Sequence, residues 1–83
     1  MVDSFFHDQF RLLYLNLAGN NISDIGLEKL APAFNYNRTL RSLDLQNNQL
    51  SEASVSMIMP FVKFNSRLVK LNLDHNFCKL RLV

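Results

Sequence analysis

One cysteine in 83 residues leaves no partner for an internal disulfide, so a disulfide-stapled fold is excluded. The two glycines, Gly19 and Gly26, stand in different contexts, and nothing here can build a glycine-rich phosphate loop. Only His7 and His75 offer an imidazole base, and neither has a nucleophile and an orienting group beside it in the pattern. No apolar run approaches the roughly 18 residues a membrane span requires, and Met1-Val2-Asp3-Ser4 opens neither a signal peptide nor a basic transit peptide. Charge is equally sparse: 19% of residues are charged and the net charge is +2, which excludes a polyelectrolyte tail and selects no partner by charge alone.

What the chain does have is hydrophobic residues, 48% of the total, and they are ordered. The stretch Leu40-Arg41-Ser42-Leu43-Asp44-Leu45-Gln46-Asn47-Asn48-Gln49-Leu50 reads LxxLxLxxNxL. The same pattern runs from Leu12 to Ile22 and from Leu68 to Cys78, each copy offset by 28 residues, as from Leu12 to Leu40 and from Leu40 to Leu68. Leucine holds its place at 12, 15, 17, 40, 43, 45, 68, 71 and 73, and asparagine at 20, 48 and 76. Self-similarity at this period marks a repeat architecture.

On these residues the chain resembles the leucine-rich repeat family, and its spacers are similar to those of the ribonuclease-inhibitor-like subclass: Gly26, Leu30 and Phe34 in one, Ser54, Ile58 and Val62 in the next. The resemblance implies an α/β solenoid arc with a short parallel sheet on a concave side and short helices on a convex side. A single segment, residues 1–83, is then divided as the end of a partial repeat (1–11), repeat 1 (12–39), repeat 2 (40–67), and a truncated repeat 3 with a tail (68–83). Two full spacers are fewer than the roughly three repeats such folds need, so an isolated monomer is expected to be marginal.

Taken in order, Met1 to Arg11 match a spacer end, with Val2 over Leu30 and Phe6 over Phe34. The alternation Leu15-Asn16-Leu17 predicts a strand with its leucines turned inward, and the spacer supplies the crossover that parallel neighbours require. Asn20, Asn48 and Asn76 fall where the chain leaves the sheet, where an amide can donate and accept at once and so satisfy backbone groups in a turn. Ser23-Asp24 are good helix-capping residues, followed by Leu27, Leu30, Ala31 and Phe34 at helical spacing. Pro32 and Pro60 share one register position, and interior proline costs roughly 3 kcal/mol, so each spacer is expected to be two short helical pieces or a kinked helix. The second spacer carries more bulky apolar residues than one stripe can bury; Met57 replaces Lys29 and Phe61 replaces Ala33, giving an expected apolar contact on the convex side. After Cys78 the pattern fails, and Lys79 to Val83 reads as a short strand or extended tail.

Chemistry has little to build from. Cys78 occupies a core position held by Ile22 and Leu50, which favours a buried apolar thiol over a reactive one. His75 and Cys78 form a lone HxxC without further ligand spacing, so no metal, cofactor, catalytic residue or small-molecule substrate is assigned. Two N-glycosylation sequons, Asn21-Ile22-Ser23 and Asn37-Arg38-Thr39, lie within repeat positions. The working surface is expected between the leucines, in rows Tyr14, Ser42, Lys70; Asn16, Asp44, Asn72; Ala18, Gln46, Asp74; and Gly19, Asn47, His75. In leucine-rich repeat proteins such rows grip a protein, so Tyr14, Asn16, Ser42, Asp44, Gln46, Lys70, Asn72 and Asp74 become candidate partner contacts.

The resulting reading is a non-catalytic protein-interaction module, a fragment of a longer solenoid or a small subunit of a large assembly. It is placed inside the cell, in the cytoplasm or within a cytoskeletal or other large assembly. A second reading makes it a regulator of an enzyme, as an inhibitor or GTPase activator working through the concave face. A third gives an RNA contact to a rim of Arg11, Arg38, Arg41 and Arg67; nucleic acid is disfavoured, because helix dipoles explain much of that clustering and no exposed aromatics are evident among the arginines.

Overall fold

The computed structural model describes residues 12–64 and 67–78; the matches drawn for Met1 to Arg11 and for Lys79 to Val83 lie outside these. Three short strands, β1 (Tyr14–Asn16), β2 (Ser42–Asp44) and β3 (Lys70–Asn72), alternate with two helices, α1 (Ser23–Tyr36) and α2 (Glu52–Phe64). The strands form one parallel sheet in the order β1-β2-β3, with Leu15, Leu43 and Leu71 opposite one another. The 28-residue offset therefore converts directly into strand register. The two helices pack side by side as the second layer, and the leucines lie between.

The middle ladder is the driest part. Leu40, Leu43, Leu45 and Leu50 are buried to within 1% of completeness, whereas Leu15, Leu17, Leu71 and Leu73 are half-buried at the flanks. Each flanking ladder has one described neighbour where the middle one has two, so the difference follows from stacking rather than from residue type. Leu27, Phe34, Ile58 and Phe61 complete the core from the helices.

The asparagines form the expected column, and its geometry is specific. Asn48 is wholly buried, and its Oδ1 accepts from the backbone N–H of Asn20 (2.9 Å) and Ile22 (3.2 Å). Its Nδ2 donates to the carbonyls of Leu17, Leu45 and Gln46 at 2.8, 3.1 and 3.2 Å. Asn76 repeats the arrangement one step on, accepting from Asn48 and Leu50 and donating to Leu45, Leu73 and Asp74. The turns around the column need left-handed backbone. Gly19, Asn47 and His75 have φ of 69°, 56° and 58°, and these three residue types tolerate that region best.

Two expectations are corrected and one alternative is decided. Of the two forms expected for each spacer, two short helical pieces or a single helix bent at its proline, the two-piece form is not what is seen: each spacer is one helix running through its proline, and Pro32 and Pro60 each remove a single N–H donor from its ladder. Ser23-Asp24 do not cap their own helix: Ser23 has φ 63° instead of the β-region geometry of a cap, Ile22 precedes the helix without a side-chain bond, and the Ser23 N–H goes to the Asn48 carbonyl at 2.8 Å. Phe61 is not on an outward apolar surface. It is 2% exposed, with its ring tilted 38° against that of Phe34 at 5.8 Å, so it bridges the two helices inside the core. Met57 is half-buried.

Losing Asn48 removes five hydrogen bonds, and at about 1 kcal/mol net for each buried bond the Asn48→Ala variant is predicted to lose about 3 to 5 kcal/mol in urea unfolding. The Asn20 side chain donates to the carbonyls of Leu17 and Ala18 and is exposed, so Asn20→Ala should lose about 1 kcal/mol; equal losses would contradict the column's hierarchy.

Candidate functional site

The strand residues between the leucines face away from the helices, and pairing sets them in rows across the sheet. Tyr14, Ser42 and Lys70 are directly aligned, as are Asn16, Asp44 and Asn72, at the strand spacing of about 4.8 Å. Tyr14 is 70% exposed and Lys70 is exposed, while Ser42 between them is half-buried. The structure therefore brings six of the eight sheet-face candidates onto one small surface. Gln46 and Asp74 extend it just beyond the strand ends, the first half-buried and the second exposed.

The second row has a structural duty that the pattern did not reveal. Asn16, Asp44 and Asn72 each accept, through Oδ1, the N–H two residues on, at 2.9 Å in every copy. These are Asx turns, which bend the chain off the strand. Asn72 is engaged twice, since its Nδ2 also donates to Gln46 Oε1 at 3.0 Å. These side chains are already fixed by local bonds, so little rotamer freedom would remain to be lost in any contact made with them.

Two apolar neighbours of this face were missed. Leu13 is 44% exposed and Val69 is 84% exposed, with exposed Arg41 aligned between them. The signal was present: the first variable position of LxxLxL is apolar in two of the three copies. The fourth row, Gly19, Asn47 and His75, has the left-handed φ values given above, so backbone geometry constrains those residues as much as any contact could.

Elsewhere, polar groups hold neighbouring repeats together. Asp24 reaches across to the start of α2, accepting from the Ser51 N–H (2.9 Å) and Oγ (2.5 Å) and from the Ser54 hydroxyl. Those bonds, from Ser51 first and then Ser54, hold its carboxyl below the ordinary 3.8. Cys78 packs half-buried against the core, and burial, helped by the carboxylates of Glu52 and Asp24, pushes its thiol above the ordinary 9.0. A thiol held protonated is a poor nucleophile and a poor metal ligand. Among the described residues no three His, Cys, Asp or Glu side chains gather as a metal site, and no helix is long and apolar enough to cross a membrane. Asn37, one of the sequon asparagines, is 2% exposed, and its Oδ1 accepts from the N–H of Thr39 (3.0 Å) and Leu40 (2.6 Å), so it cannot present its amide to a glycan donor in the folded chain.

Parallel strands each followed by a helix, a leucine ladder between the layers and an asparagine column at the turns define a stacked-repeat protein. The profile of the Leucine Rich repeat family matches residues 12–31 and 36–59, more than half of the chain, and the chain belongs to that family. No curated protein matches the sequence.

The Asp24 bonds carry a pH signature. With a folded pKa below the unfolded value, their contribution is complete above about pH 4 and is lost as pH falls through the folded value. Asp24→Asn should unfold earlier at neutral pH and show a shallower loss of stability than wild type as pH falls below about 4; parallel acid curves would refute the role.

Proposed function

We propose that this chain is a non-catalytic protein-interaction module of the ribonuclease-inhibitor-like subclass, its sheet forming the concave side of a solenoid arc and lying within a longer solenoid or a large assembly. Leucine-rich repeats commonly serve as protein-interaction modules, and the sheet face offers what such a role requires. Contact falls to Tyr14, Asn16, Ser42, Asp44, Gln46, Lys70, Asn72 and Asp74. The observation that carries this is their ordered layout: an exposed tyrosine and lysine at either end of one row, beside a row held by three identical Asx turns. Large aromatic and charged side chains on a rigid support bind at low entropic cost. The burial of Phe61 weakens the case for a contact on the helix side and so supports the sheet as the main surface, with Met57 in at most a subsidiary part.

The test is site-specific photocrosslinking, with the probe at Tyr14, Ser42 or Lys70 on the sheet and at Glu28 or Lys29 on α1 in parallel. Protein adducts from the sheet positions are expected; adducts from α1 alone would reverse the assignment. For a partner so identified, Tyr14→Ala combined with Lys70→Ala is predicted to weaken binding at least about tenfold without lowering the melting temperature.

A further inference from the structure

A second surface lies at the C-terminal end of the helix layer, away from the sheet face. Pro32 and Tyr36 are one helical turn apart on α1, and Pro60 and Phe64 occupy the same positions on α2. All four are exposed, Tyr36 by 65% and Phe64 by 74%. Since α1 and α2 pack side by side, these residues form two parallel apolar ridges separated by the usual interhelical distance of about 9 Å. A shallow depression beside the first ridge is lined by Pro32, Asn35, Tyr36 and Arg38.

The charge around this patch has one sign. Arg38, Lys63 and Arg67 are exposed at the same end. Every described acid lies elsewhere: Asp24 and Glu52 in the first helical turns, Glu28 one turn on, and Asp44 and Asp74 at the strand exits. Helix dipoles account for part of this placement, and Arg38 serves α1 directly, its Nη1 donating to the carbonyls of Asn35 (2.6 Å) and Asn37 (3.0 Å). Those two bonds also fix the guanidinium beside the depression. The rim therefore does carry exposed aromatics among its cations, which the sequence did not disclose.

We propose that this end of the helix layer, with Tyr36 and Phe64 as apolar anchors and Arg38 and Lys63 as cationic flanks, docks an acidic peptide segment bearing two bulky apolar side chains. Their spacing follows from the ridges. Positions i and i+7 of a helix lie on one face about 10.5 Å apart, close to the separation of the two ridges. Single-stranded nucleic acid fits less well, because stacked bases repeat at about 3.4 Å and prolines offer no ring face between the two aromatics.

The experiment uses the full chain and a fluorescein-labelled glutamate-rich helical peptide with leucines at i and i+7, read by fluorescence anisotropy. A sequence-scrambled peptide and oligothymidine of similar length serve as comparators. Binding is expected for the i,i+7 peptide, weakened at least about tenfold by Tyr36→Ala with Phe64→Ala, weakened also by Lys63→Glu, and reduced by salt. Circular dichroism melts confirm that each variant is folded. The proposal is overturned by absence of binding, by equal affinity for the scrambled peptide, by preference for oligothymidine, or by loss of binding in Tyr14→Ala instead, which would return the site to the sheet face.

Discussion

The buried amide of Asn48 is the interaction on which the rest depends. A turn leaving a parallel sheet strands N–H and C=O groups inside the protein, and each unsatisfied group would cost about 1 to 3 kcal/mol. An asparagine side chain carries both an acceptor and two donors, so one residue can satisfy two successive turns. With the turns closed, strands can fall into register at every 28-residue step, leucines can stack in columns, and the residues between them line up on the outer face.

That dependence explains which parts of the molecule were legible. Leucines and asparagines repeat because the environment they meet repeats, so their positions translated into strands, core and column without loss. Features that depend on a neighbour did not translate. Asp24 stands where a local cap belongs, yet its carboxylate serves Ser51, 27 residues away, because the adjoining turn is as close in space as its own helix. Phe61 aligns with Ala33, and a larger side chain at a small residue's position suggested an outward face. Both positions are in fact interior, and the larger ring packs against that of Phe34. The prolines left two forms open, and the single helix is the one adopted: losing one donor late in a helix is tolerable when the helix is packed along its length.

Function was less legible than fold because the outer face is read by chemistry as much as by position. Periodicity nominated eight sheet residues, but three of them, Asn16, Asp44 and Asn72, also bend the chain. Exposure redistributes the emphasis toward Tyr14, Lys70 and the flanking Leu13 and Val69. The aromatic residues at the helix ends were invisible in the pattern, since a helical spacing alone cannot say whether the last turn is covered.

The asparagine column also has a direction. Asn48 offers its oxygen to the turn at Asn20 and Ile22, and Asn76 offers its own to the turn at Asn48 and Leu50; neither reaches forward. Damage at one rung is therefore felt upstream, by the copy already laid down before it, while the copy downstream keeps its full set of bonds. A turn therefore has its full set of bonds only when the copy that follows it in the chain is in place beside it.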